Sequence, residues 1–196
     1  LERFHPTDIL EPGYDIIFFW VARMILFTGY LLGDVPFKTI YLHGLVRDKD
    51  GQKMSKSKGN ALNPLTLIEK YGTDALRLAL IIGTSPGTDQ KISEDKIRGY
   101  KHFANKLWNI ARFVATSIDD KKHEQTPTPQ DQEAIDEFSK LKTEVTSDMD
   151  NYRFYLAGEK LYHYTWHTFA DKLIEQNKKG LNTGATLNKI FTELLI

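Results

Sequence analysis

Apolar positions change their period along this chain. In "FKTIYLHGLV", residues 37–46, β-branched and aromatic residues alternate with polar ones, which predicts a strand. Upstream, "ILEPGYD" within 8–15 reads as a short strand and a glycine-containing turn, leading into a helix from about 16 to 31. Strand, helix, strand in this order predicts half of a doubly wound parallel sheet. Ligands of such sheets gather at the carboxyl ends of the strands, and the segment 46–60 follows such an end.

Beyond Asn63 the period becomes helical. "PLTLIEKYG" predicts a short helix stopped at Gly72, and Thr73 is expected to N-cap "DALRLALII" with Asp74 in its first turn. "TSPGTDQ" reads as a turn. Ser93 then caps a long helix striped by Ile97, Tyr100, Phe103, Leu107, Ile110, Val114 and Ile118. A polar linker over 119–129 ends in Thr128 at N-cap and Pro129 at N1. Ile135, Phe138, Leu141, Val145 and Met149 stripe the next helix. A third runs from about 153 to 177, and "KKGLNTGA" separates it from a fourth. The main boundary falls near 90–93, and the second half is expected to be an antiparallel helical bundle. No internal repeat is found.

"IIFFWVARMILFTGYLLG", residues 16–33, just reaches membrane-spanning length. Arg23 near its centre would cost roughly 2.5–3.5 kcal/mol in a bilayer, so a buried helix of the α/β part is expected, with no membrane partner. The 196 residues are 41% hydrophobic and 12% aromatic, which fits a globular chain. Twenty-six basic and twenty-six acidic residues cancel, so an anionic partner must be met by a local patch. Cysteine is absent, which excludes a disulfide framework and a thiolate zinc site and fits a cytoplasmic protein. The first residue is not Met and no signal peptide is evident, so a piece of a longer protein is expected.

The patch is "DGQKMSKSKGN", residues 50–60. Lys53, Lys56 and Lys58 alternate with Ser55 and Ser57 between Gly51 and Gly59. Arg47, Lys49 and these three lysines face only Asp48 and Asp50. Cationic tips, hydroxyls and a permissive glycine at each end suit gripping an anion while changing shape. Neither G-x-x-x-x-G-K-[ST] nor G-x-G-x-x-G is present. His163 and His167 are four apart but lack an evident third ligand, so a packing face is expected and no metal site.

"KMSKS", preceded by "HGLVRDKDGQ" and followed by "GN", resembles the second nucleotide-site motif of class I aminoacyl-tRNA synthetases. "GYDIIFFWVARM", "YLHGLVRD", "YGTDALR" and "FANKLWNIARF" are similar to the valine-specific branch, and the likeness extends along nearly the whole chain. The resemblance implies the second half of a Rossmann-like nucleotide fold over 1–62, a connecting helical segment over 63–92 and an anticodon-binding helical bundle over 93–196. It implies ATP (with Mg2+), valine and tRNA(Val) as the molecules acted on.

By the same resemblance Lys53 and Lys56 contact phosphates, with Ser55 and Ser57 beside them. Met54 anchors the loop by packing. Gly13 and Asp15 lie by the adenylate ribose, and His43, Gly44 and Val46 near the adenine. Trp20 lines the valine pocket, and Arg112 and Phe113 meet the anticodon loop. The family's first motif, of His-x-Gly-His type, does not occur in this sequence, so the chain alone is expected to be inactive. No inserted editing domain is evident, and Lys172 and Leu173 stand where family members tend to carry aromatics. An isoleucine- or leucine-specific synthetase is disfavoured by "DIIFFWV". A non-catalytic RNA-binding helical module is disfavoured by the neutral net charge.

Overall fold

The computed structural model describes residues 3–117 and 127–196, with the backbone alone at Lys56. The chain is mostly helical, with small parallel sheets, and divides into two compact units. The first is 1–62 with 84–93, and the second is 63–83 with 94–196. The segment expected to act as one connector over 63–92 is therefore shared between them. Ile118 and most of the 119–129 linker lie outside the described residues.

In the first unit, β1 (Thr7–Leu10) pairs in parallel with β2 (Phe37–Ile40), with Thr7 opposite Phe37 and Leu10 opposite Ile40. The connection is a 3-10 turn (Tyr14–Ile16), a π-type stretch (Ile17–Val21) and α1 (Ala22–Leu32), closed by Gly33 in the left-handed region. The single strand expected over 37–46 is divided. Beyond β2 the chain still pairs toward Gly13 through His43, then changes partner. β3 (Val46–Arg47) runs parallel to β4 (Gln90–Lys91). The stretch read as a turn at 84–90 thus ends in a strand. Alternation does not reveal it, because two residues carry no period.

The sequence pattern also predicts burial of the helix after β1. In the structure only Val21 of the π-type stretch is buried, and α1 buries none of its residues. Phe18, Phe19, Leu26, Phe27, Tyr30 and Leu31 are 64% to 89% exposed. Tyr14–Leu32 is long and apolar enough to cross a membrane by length and composition. An apolar run reports a demand for cover; four short strands and a loop supply too little apolar surface to meet it.

In the second unit, α2 (Pro64–Tyr71) starts where the Asn63 side chain accepts from Leu65 N and ends at Gly72. That glycine, not Thr73, is the N-cap of α3 (Thr73–Ile81), and it has no side-chain capping bond to give. α4 (Glu94–Ser117) buries Ile97, Phe103, Ile110 and Val114, four positions of its expected stripe. α5 (Pro129–Asp150) opens with the expected Thr128 cap, completed into a capping box by Asp131. Its buried face runs through Asp131, Ala134, Phe138 and Asp148. Met149, expected inside, is 48% exposed.

α6 (Phe154–His163), a π-type stretch (Tyr164–Leu173) and α7 (Ile174–Lys178) form one long rod, and α8 (Gly184–Leu194) follows. Phe138, Phe169, Leu173, Leu187 and Ile190 meet in the core. Full burial of such side chains contributes about 1.5–3 kcal/mol each. Leu173 is thus a core residue, and Lys172 turns outward to Glu133 and Glu137 at 3.6 and 3.5 Å.

Candidate active site

The carboxyl end of the β1–β2 pair is closed by backbone bonds. His43 N donates to Pro12 O at 3.1 Å, and Tyr14 N donates to His43 O at 3.1 Å, which sets Gly13 opposite His43. A Cβ on Gly13 would stand 2.7 Å from Asp15 Oδ1 and 3.5 Å from His43 Cε1. Glycine therefore lets the backbone pass close beside an exposed carboxylate and an exposed imidazole. Gly44 is tighter still, since its Cβ would lie 1.9 Å from Thr88 O. Val46 begins β3 and is 40% exposed. Trp20 is 51% exposed and does not belong to the core.

Arg47, counted in the sequence among the free cations, is engaged. Its Nε pairs with Asp89 Oδ2, and Nη1 donates to Gly51 O at 3.2 Å. Asp89 Oδ1 accepts from Leu45 N at 2.8 Å. The Leu45 amide first, then the Arg47 guanidinium, hold the Asp89 carboxyl below its usual range. The sequence reading missed Asp89 because it lies 42 residues from Arg47 inside a stretch taken as a turn.

The lysine-rich loop leaves β3 at Asp48. Gly51 and Gly59 have φ of 81° and 68°, in the left-handed region that glycine enters without strain. Between them Lys56–Lys58 form a single 3-10 turn. Lys53 and Lys58 are exposed, while Met54 and Ser55 are half-buried. Ser55 Oγ lies 3.1 Å from Ser57 Oγ and accepts from Lys58 N at 3.3 Å, so its hydroxyl is used inside the loop. Asp48 and Asn60 are a second pair missed in the sequence: Asn60 Nδ2 donates to Asp48 Oδ2 at 2.7 Å. The Asn60 amide, then the Gln52 N–H, hold the Asp48 carboxyl low.

In the second unit Arg112 is exposed on α4. Phe113 packs against the bundle core, with Lys178 Nζ 5.7 Å from its ring centroid. Trp108, one turn before Arg112, is 70% exposed, and periodicity does not single it out. His163 and His167 stack at 5.6 Å on an exposed face, not the expected packing face. Among the described residues no three His, Asp or Glu side chains gather as a metal site.

Residues 1–93 match the family of class I tRNA synthetases (I, L, M and V), and residues 131–196 match the anticodon-binding domain of tRNA ligase. A valine–tRNA ligase of Pelagibacter ubique is 46% identical over 182 residues, which is 91% of this chain and 21% of the relative. That of Dehalococcoides mccartyi is 44% identical over 192 residues, 96% and 22% of the two. The chain thus spans about a fifth of the length of the curated relatives it matches.

Among solved structures, a LeuRS–tRNA–LeuAMS ternary complex of Agrobacterium radiobacter K84 superposes with a TM-score of 0.79 at 20% identity. The match covers 99% of this chain and 25% of the other. A Mycobacterium tuberculosis methionyl-tRNA synthetase with methionyl-adenylate gives 0.73 at 24% identity, over 98% and 40%. Two family matches in order, a shared fold and relatives above 40% identity agree: the chain belongs to the class I tRNA synthetases, in the branch formed by the valine–tRNA ligases.

Proposed function

We propose that this chain is a piece of an enzyme that activates valine with ATP and transfers it to tRNA(Val). The first unit is read as the second half of a Rossmann-like nucleotide fold and the bundle as the part that meets the tRNA. The observation that carries the reading is the loop 51–59, cationic and hinged by left-handed glycines at both ends.

In activation a valine carboxylate oxygen bonds to the α-phosphorus of ATP as the bond to the pyrophosphate oxygen breaks. Negative charge grows on the leaving group, so ammonium groups brought up by the loop act where charge develops. Lys53 and Lys56 take this role. Ser55, Ser57 and the loop N–H groups complete the anion's surroundings, and Met54, half-buried, holds the loop down.

The turn at Gly13 is assigned to the ribose, with Asp15 as acceptor for its hydroxyls. His43, Gly44 and Val46 line the adenine side, and Trp20 limits the size of the amino-acid side chain. Mg2+ arriving with ATP would neutralise phosphate charge, and no ligand from this chain is assigned to it. Arg112 is proposed as a contact to the anticodon loop, with Phe113 beside it offering the part of its ring that the core leaves uncovered.

The test is Lys56→Ala in the full-length ligase carrying this segment. Adenylate formation in a single turnover should slow by roughly two to three orders of magnitude while valine affinity stays unchanged, as for a contact made in the transition state. A normal single-turnover rate refutes the assignment.

A further inference from the structure

The loop's two hinges lie just inside a polar cross-link. One oxygen of Asp48 accepts from Asp50 N at 3.0 Å and from Gln52 N at 2.8 Å, which fixes the first limb. Its other oxygen takes the Asn60 amide at 2.7 Å, which ties that limb to the second. Asn60 Oδ1 in turn accepts from Ser55 N at 2.9 Å, inside the lysine-rich run. Gly51 and Gly59 fall between the two linked residues. Motion of the run about Gly59 can leave Asp48 and Asn60 joined, but it must break the bonds that Asn60 makes to Ser55 N and, at 3.4 Å, to Lys53 O.

We infer that Asp48 and Asn60 are positioning residues, a clasp that holds the base of the lysine loop and latches its tip through Ser55. They touch no reacting atom; they set where the ammonium groups start and return. The inference rests on the activation reading above. The chemistry of the link is directional: the acceptor-only carboxylate needs the amide NH2, and Ser55 N–H needs the amide oxygen. Asp48→Asn turns one face of the pair into donor against donor, and flipping Asn60 to relieve this sets its NH2 against Ser55 N–H. Asn60→Asp sets carboxylate against carboxylate. The exchange D48N/N60D restores both bonds with the polarity of the cross-link reversed, since an amide oxygen at position 48 can still accept the two backbone N–H groups.

In the full-length ligase carrying this segment, each single variant should slow single-turnover adenylate formation about tenfold, the loss of one hydrogen bond to a charged group. KM for valine and the melting temperature should stay unchanged, and D48N/N60D should recover most of the rate. Without any substrate, trypsin should cut at Lys53–Lys58 several-fold faster in each single variant, and at the original rate in the exchange.

Unchanged cleavage in the single variants, or no recovery in the exchange, overturns the clasp. A parallel rise in valine KM with a loss of melting temperature also overturns it, in favour of a merely structural role. Absence of valine-dependent ATP–pyrophosphate exchange in the unmodified ligase overturns the activation reading instead. The proteolysis then still reports whether the clasp exists.

Discussion

Gly44 sits under the backbone of Thr88 and Asp89, so that a Cβ would meet Thr88 C at 2.2 Å and Asp89 N at 2.7 Å. Backbone atoms cannot rotate aside as a side chain would. Gly44→Ala should therefore part β3 from β4 and cost about 1–3 kcal/mol, read as a lower melting temperature with weakened ATP binding in the full-length ligase. Phe113 presents the opposite case, a side chain with two duties. Its contact with the bundle core predicts that Phe113→Ala destabilises the bundle by about 1–3 kcal/mol, less than a fully buried phenylalanine would. If the uncovered part of the ring also stacks on a base, tRNA charging should fall further than ATP–pyrophosphate exchange. Measuring both reactions and the melting point on one variant separates the duties.

Helix starts dominate the element scale, and Asp131 serves two of them. Fully buried, it accepts from Thr128 N at 2.8 Å to cap α5 and from Thr183 N at 2.9 Å where α8 begins. Burial pushes its carboxyl up, but the bonds from Thr183 and Thr128 outweigh this and hold it below its ordinary 3.8. Asp148 behaves likewise, chiefly through Lys160 at 2.8 Å, with Arg153 adding to it. A carboxyl with a lowered folded value contributes stability that is present above the ordinary value and lost as pH falls through the folded one. The melting temperature of the bundle should thus drop as pH falls below the ordinary 3.8 of these carboxyls. Asp131→Asn should start lower at pH 7 and show a flatter acid decline. An equally steep decline in the variant would assign the acid sensitivity elsewhere.

At the scale of the whole chain, apolar cover is incomplete among the described residues. The exposed aromatic and aliphatic face of Ile17–Leu32 should make the isolated 196-residue chain self-associate at micromolar concentration. Light scattering should show a return toward monomer when Phe18 and Phe27 are replaced by Ser. The same chain should give no measurable valine-dependent ATP–pyrophosphate exchange. On the proposed reading the loop meets the leaving group, while the given sequence holds no His-x-Gly-His motif to position the nucleotide. Measurable exchange by the purified chain would refute that reading.

Local chemistry is legible in the chain before it folds. Thr128 and Pro129 mark the start of α5 because a cap is settled within four residues. The stripe of α4 is legible because a helix repeats its buried face every turn. Gly51 and Gly59 announce their left-handed backbone because other residues resist it. Packing settled the rest. Whether the apolar run after β1 is buried depends on surfaces elsewhere, so hydropathy cannot answer it. Asp89 neutralises Arg47 across 42 residues, and Asn60 meets Asp48 across 12, distances over which no period connects one side chain to another. The lysines of the loop were visible at once, but the carboxylate and amide that hold the loop's base became visible only when the chain had turned back on itself.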